Sequence, residues 1–79
     1  MIQFVPCVGR VNGIDLYVYA DDHNPPHVHV FYAESEVLLV IATSAIYAGS
    51  LPRPQLADAQ QWLNANRQLV SAEWDRLNP

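Results

Sequence analysis

The segment His23-Asn24-Pro25-Pro26-His27-Val28-His29-Val30 holds all three histidines of the chain and constrains its fold more than any other stretch. Two consecutive prolines remove two backbone donors and push the preceding residue out of the helical region, so this connection must be stiff and non-helical. After the prolines, polar and β-branched residues alternate, which is typical of a β-strand. The alternation places His27 and His29 on one side of the strand, called the histidine face, and Val28 and Val30 on the other, called the core face.

The chain has 79 residues, which predicts a single domain over residues 1–79. A lone core of this size supplies only about 3–5 kcal/mol of net stability, so a partner or a homodimer is expected. Cys7 is the only cysteine, no signal peptide is recognisable and no apolar run is long enough to span a bilayer. We therefore expect a reduced, cytoplasmic protein without a membrane segment.

The charge balance limits the class of partner. The chain has no lysine and carries four arginines against eight carboxylates, with a formal net charge of −4. It lacks the basic surface that drives sequence-independent nucleic-acid binding. Stable DNA binding by this chain alone is therefore not expected, and RNA is expected only as a transient substrate of a site that uses one or two arginines.

The turn dipeptide Asn12-Gly13 predicts the first hairpin, because both residues tolerate positive φ. A two-residue turn pairs Val11 with Ile14 and Arg10 with Asp15. Ile14 begins an alternating strand whose apolar members are expected in the core.

The pairing of the second and third strands is predicted from their matching alternation. Placing residues 22–26 in the connecting loop sets Asp21 opposite His27 and Tyr19 opposite His29. A slip of one residue would turn both histidines toward the core, which favours this register.

A turn at Glu34-Ser35 predicts the next pairing and sets Val40 opposite His29. A last short strand over residues 45–48 is expected to add Ile46 to the core and Tyr47 to the histidine face.

From about Pro54 the apolar residues recur at three- and four-residue steps, which predicts a helical region over about residues 53–77. One straight helix of that length would measure about 36 Å, more than so small a domain accommodates, and we expect a break at Asn64-Ala65-Asn66. Trp62 and Trp74 are expected to anchor the helical region in the core.

The predicted fold is therefore α+β: an antiparallel β-meander of four to five strands over about residues 1–50, with a C-terminal helical region, one kinked helix or two, packed on the core face. No second helix is left to cover the histidine face, where a ligand, a second copy or another protein is expected. The alternative places the helix on the histidine face and a dimer contact on the core face. The side chains expected around the histidines are Tyr17, Tyr19, Phe31, Leu38, Val40 and Tyr47.

The motif Asp22-His23-x-Pro25-Pro26-His27-x-His29-Val30 resembles the bacterial domain of unknown function family numbered 4160. The likeness continues in Gly49-x-Leu51-Pro52 and in the paired tryptophans, so it covers nearly the whole chain. This family is similar to the small proteins of toxin–antitoxin pairs. The resemblance implies a toxin-like subunit with a co-encoded, antitoxin-like partner, and it implies no particular mechanism.

The first interpretation of the histidines is a metal site. His27 and His29 lie about 7 Å apart at their Cα atoms when they alternate along a strand, a spacing that can bring two imidazoles onto one ion. His23 or Asp22 is available as a third ligand from the loop. No cofactor is expected beyond a divalent transition metal such as zinc.

The second interpretation is metal-free catalysis on a phosphodiester such as RNA. It pairs His27 with Asp21 and His29 with Tyr19, so that the histidines serve as general acid and base. Arg10 would stabilise the developing negative charge.

The third interpretation is structural. The histidines hydrogen-bond to backbone groups that the proline pair leaves without partners, and His29 borders an interface. These three interpretations leave open whether the protein is an enzyme.

Overall fold

The computed structural model describes residues 7–20 and 22–79. Five strands pair antiparallel in chain order, and two helices follow them, which confirms the predicted α+β meander. The strands are β1 Cys7–Val11, β2 Ile14–Tyr17, β3 His27–Tyr32, β4 Ser35–Val40 and β5 Ile46–Gly49, and the helices are α1 Arg53–Ala65 and α2 Arg67–Leu77.

The register of the first hairpin is as predicted, with Val11 opposite Ile14. The predicted register of β2 against β3 is wrong by two residues, because Tyr17 rather than Tyr19 lies opposite His29. β2 ends at Tyr17 and β3 begins at His27, so the described residues between them, 18–20 and 22–26, lie outside both strands, in a longer connection than the alternation predicts. A slip of two residues leaves every side chain on its predicted face, since the side-chain period of a strand is two.

The β3–β4 pairing is also displaced by two residues. The turn is centred on Ala33-Glu34, so Val40 lies opposite His27 and Leu38 opposite His29. Gly49 at the end of β5 has φ 79° and lies against the backbone of Glu36, where any Cβ would collide. Only glycine fits this position without strain.

Two expected core positions are exposed. The alternation that starts at Ile14 predicts Ala20 in the core, but Ala20 follows the end of β2 and lies in the loop, where that alternation no longer applies. Ile46 is 48% exposed because β5 is the edge strand, and the register shifts between Leu38 and Leu39 where it joins β4. Tyr47 lies on the histidine face, as predicted, with its ring centroid 5.6 Å from that of His27.

Both helices pack on the core face, as predicted. Gly9 makes room for Trp62, since a Cβ at this position would overlap the indole ring. Trp74 is 4% exposed, so it is the more deeply buried of the two tryptophan anchors. The buried cluster contains Ile14, Leu16, Val18, Val28, Val30, Val37, Leu39, Ile41, Leu51, Ala59, Leu63, Val70 and Trp74.

The helical region breaks at Asn66, inside the predicted segment. Pro54 lies in the first turn of α1, where a missing N–H costs no helical hydrogen bond. After the break, Arg67 donates through Nε to the Ile41 carbonyl and through its guanidinium to the Ser44 hydroxyl. These bonds join the start of α2 to the sheet. Within the described residues, neither helix is long and apolar enough to cross a membrane.

Candidate functional site

Three side chains that can bind a metal converge at one end of the histidine face. His27 and His29 extend from β3, and Asp22 comes from the preceding loop. Asp22 Oδ2 lies 3.1 Å from His27 Nε2 and 3.0 Å from His29 Nε2. One ligand atom from each residue lies within 4.8 Å of the other two. Strand alternation thus places the imidazoles together, and the loop adds a carboxylate.

His27 is fully buried, with 0% of its surface exposed. Its ring lies near Trp74 and Tyr47, with centroids 5.4 and 5.6 Å away. His27 Nδ1 is 2.7 Å from the Pro25 carbonyl oxygen, and because a carbonyl only accepts, Nδ1 must carry the proton. In the neutral ring Nε2 then keeps a free lone pair.

The environment of His27 Nε2 is unusual for a buried polar atom. The atom lies 3.1 Å from Asp22 Oδ2, but with the ring proton on Nδ1 it has no hydrogen to donate to the carboxylate. Within the described part of the chain, Nε2 therefore has no hydrogen-bond partner. Buried polar atoms are nearly always paired, so an orphaned one suggests a missing ion or water.

His29 is held at both ring nitrogens by carboxylates. Nε2 faces Asp22, and Nδ1 lies 3.0 Å from Glu36 Oε2. The side chain is 15% exposed, and the Tyr19 ring meets it edge-on with centroids 4.2 Å apart. His29 is thus the more accessible of the two clustered histidines, and its orientation is fixed from two sides.

The charge state of Asp22 depends on its neighbours. Burial opposes the ionisation of the Asp22 carboxyl. The hydrogen bonds from His29 and from the His23 backbone N–H favour the ionised form, as do the charges of His27 and His29. Together they outweigh burial and lower the pKa of Asp22. Burial raises the pKa of the Tyr19 phenol, helped by the negative charge of Glu36. The cluster therefore presents an ionised carboxylate beside a neutral phenol.

The structure brings together only some of the predicted site residues. His23 is 66% exposed; its Nδ1 lies 3.3 Å from the Asn24 carbonyl oxygen, and its Nε2 is 3.8 Å from Asp22 Oδ1. His23 thus lies at the border of the cluster, and Asp22 occupies the position of the third ligand. Asp21 lies outside the described residues, so its predicted role stays a prediction.

Arg10 is engaged elsewhere on the sheet. It is 70% exposed and pairs with Asp15, with Arg10 Nε 3.1 Å from Asp15 Oδ1. A hydrogen bond with Tyr17 and the Asp15 charge raise the pKa of the Arg10 guanidinium further. Across the described residues, no hydrogen bond or ion pair joins Arg10 to a histidine. The charge-stabilising role predicted for Arg10 therefore has no contact that supports it.

Glu36 is the site residue that sequence reasoning missed. In the predicted register it lies opposite Ala33, beyond reach of the histidines. In the observed register it lies opposite Phe31, one diagonal step from His29 on the same face. The alternation of β4 already puts Glu36 on the histidine face, so a correctly placed turn would have revealed it.

The three interpretations of the histidines agree with this geometry to different degrees. The Nδ1 bond of His27 to Pro25 agrees with a structural network, but such a network leaves His27 Nε2 unexplained. The Nε2 atoms of both histidines face Asp22 instead of an open surface, which does not favour general acid–base catalysis without a metal. Two imidazole nitrogens and one carboxylate oxygen are a donor set that divalent transition metals bind.

Fold and cluster together define a small α+β protein that carries a two-histidine, one-carboxylate cluster beside a meander sheet. The chain belongs to the DUF4160 family, described as a domain of unknown function, whose sequence profile matches residues 13–75. The resemblance inferred from the histidine motif is confirmed at this level. Neither a curated protein nor a solved structure matches the chain significantly.

Proposed function

We propose that this protein binds a divalent transition metal, such as zinc, between Asp22, His27 and His29. The proposal rests above all on His27 Nε2, a buried nitrogen with no hydrogen-bond partner among the described residues. An unsatisfied buried polar atom costs about 1–3 kcal/mol, and coordination to a cation removes that cost. The Nε2 lone pair lies beside two further atoms that can coordinate a metal, Asp22 Oδ2 and His29 Nε2, and such a set suits an ion better than a single water.

Two of the three distances between the ligand atoms fit a bound ion. Zinc bonds of about 2.0–2.1 Å at angles between octahedral and tetrahedral separate two ligand atoms by about 2.9–3.4 Å. Asp22 Oδ2 lies 3.1 Å from His27 Nε2 and 3.0 Å from His29 Nε2, inside that interval. An ion can therefore bind between these atoms by small side-chain adjustments.

The outer neighbours of both imidazoles can accept the ring proton that remains when Nε2 binds a metal. The Pro25 carbonyl accepts from His27 Nδ1, and the Glu36 carboxylate can accept from His29 Nδ1, so each ring presents Nε2 to the ion. Such outer partners fix the orientation of histidine ligands and raise their basicity. Asp22 and Glu36 also supply two negative charges against the two positive charges of the ion.

Three protein ligands leave at least one coordination position for water or substrate. A zinc ion in such a centre lowers the pKa of its bound water to about 7 and can polarise a carbonyl or phosphoryl group. The chemistry that fits this centre is metal-assisted hydrolysis. Tyr19 and Tyr47 border it from the histidine face.

Zinc titration tests the metal proposal. Protein prepared with a chelator, then freed of it, is titrated with zinc against a chromophoric competitor at neutral pH. We expect one saturable equivalent per chain and strong weakening in the isosteric Asp22→Asn variant, whose amide is a poor ligand. Absence of saturable binding by the unaltered protein, or equal binding by the variant, would contradict the proposal.

A second candidate function is that of a toxin-like subunit of a two-component bacterial module, acting on RNA with this centre as its working site. One observation favours it: the Tyr17 and Tyr19 rings lie nearly parallel, at 12° with centroids 6.5 Å apart, beside His29. Both rings are partly buried, and aromatic rings in series offer stacking surfaces to unpaired bases. A co-encoded, antitoxin-like partner would cover this same face.

Growth of bacteria expressing the chain alone tests this second function. We expect growth arrest with the unaltered chain and with His23→Ala, and normal growth with His29→Ala at equal, folded protein levels. Relief of the arrest by the protein encoded next to it would support the paired module. Arrest that persists with His29→Ala, or no arrest with the unaltered chain, would contradict the candidate function.

A further inference from the structure

We infer that Asn78 is a positioning residue for the metal site, holding the carboxylate ligand Asp22 in reach of His27 and His29. This inference rests on the proposed metal binding. It assigns a role to a residue outside the histidine motif and beyond residues 13–75, which match the family.

The side-chain amide of Asn78 ties the Asp22 loop to the end of α2. Asn78 Oδ1 accepts from the backbone N–H of Asp22 at 2.8 Å. Its Nδ2 donates to the Tyr19 carbonyl at 3.1 Å and to the Trp74 carbonyl at 3.1 Å. One amide thus bridges both ends of the segment from Tyr19 to Asp22 and attaches it to the helix.

Asp22 is the ligand that most needs this support. The β3 ladder fixes the backbone of His27 and His29, whereas Asp22 lies in a loop that no strand pairing holds. Loop backbone moves more than paired backbone, and a ligand displaced by an ångström no longer completes a coordination sphere. The last turn of α2 also reaches the site through Trp74, whose ring lies 5.4 Å from that of His27.

The chain contains a matched control for this role. Asn66 follows Trp62 by four residues, as Asn78 follows Trp74. Asn66 Nδ2 donates to the Trp62 carbonyl at 2.8 Å, the same helix-ending bond that Asn78 makes. Within the described residues this is the one hydrogen bond of the Asn66 side chain, and it stays within the helix end. Alanine at either position therefore removes the same capping bond, but only Asn78→Ala frees the ligand loop.

Zinc affinity of the full chain, of Asn78→Ala and of Asn66→Ala tests the inference. Loss of a supporting group typically weakens metal binding by about 10–100-fold, and we expect at least about 10-fold for Asn78→Ala. The zinc affinity of Asn66→Ala should stay within about threefold of that of the unaltered protein, since the lost bond supports no metal ligand. Unfolding in chelator, measured for all three proteins, separates loss of stability from loss of affinity.

Cobalt substitution adds a readout that helix stability alone would not change. We expect the visible absorption of the cobalt-loaded protein to change in Asn78→Ala, because the carboxylate ligand loosens, and to be preserved in Asn66→Ala. Equal zinc affinity of Asn78→Ala and the unaltered protein, or equal weakening by both alanines, would overturn the inference and leave the metal proposal intact. Failure of the unaltered protein to bind zinc would overturn both.

If Asn78→Ala does not fold, hydrogen exchange in the unaltered, metal-free protein tests whether Asn78 holds the Asp22 loop. The backbone amide of Asp22 should exchange slowly for a loop residue, because it donates to Asn78 Oδ1. Exchange at the rate of an unprotected amide would overturn the inference.

Discussion

Replacement of His29 by alanine is expected to weaken zinc binding by at least about 100-fold, at or beyond the upper end of what loss of a mere supporting group costs. His29 Nε2 lies 3.0 Å from Asp22 Oδ2 and is one of three converging donors. Removing it leaves two ligands, too few to hold zinc against competing water. His29 suits this test better than the fully buried His27, whose replacement would also disturb the core.

His23→Ala is the matched control. Both residues are histidines of the same motif, but His23 is 66% exposed and its Nε2 is 3.8 Å from Asp22 Oδ1. Its loss should change zinc affinity by no more than about threefold, since it is not among the donors that meet the ion. Competition titration measures both variants, and circular dichroism verifies that they are folded. Equal weakening of zinc binding by His23→Ala and His29→Ala would contradict this assignment, because it would mean that His23 contributes to the metal site as much as His29 does.

Zinc is also expected to raise the midpoint temperature of unfolding, Tm, by about 10–20 °C. A ligand that binds only the folded state, at a free concentration of 100 times its Kd, stabilises that state by about 2.7 kcal/mol. In a domain of 60–100 residues each kcal/mol shifts Tm by about 4–8 °C. The effect is large because a chain of 79 residues has little stability of its own.

Thermal unfolding followed by circular dichroism, in chelator and in excess zinc, measures this shift. In chelator, Asp22→Asn should still show a cooperative unfolding transition, but it should lose most of the zinc-dependent rise in Tm. Acidification should shrink the rise in the unaltered protein, because metal ligands must be deprotonated to bind. A rise of similar size in Asp22→Asn, or none in the unaltered protein, would contradict the assignment of these ligands.

The faces of the sheet could be predicted from the sequence because strand alternation has a period of two. His27 and His29 fall on the predicted face although two of the strand pairings are displaced. The Asn12-Gly13 hairpin was placed correctly because its turn has a distinctive composition. A slip of two residues leaves each side chain on the same face of the sheet. The face that carries the histidines is therefore predictable from the sequence even where their cross-strand partners are not.

The partners of the histidines were not predictable in the same way. Glu36 was missed because a turn displaced by one position moves each cross-strand neighbour by two residues. Asp22 could be named only as an alternative to His23, since alternation does not govern a loop. Its position depends on Asn78, a contact 56 residues away in sequence that no local pattern encodes.

The coordination of the metal in zinc-loaded protein tests the central claim most directly. Crystals examined at the zinc absorption edge should show one ion bound by Asp22 Oδ2, His27 Nε2 and His29 Nε2 at about 2.0–2.1 Å, with a further position open to solvent. An ion bound instead at His23 or elsewhere on the surface, with His27 Nε2 still unliganded, would contradict it.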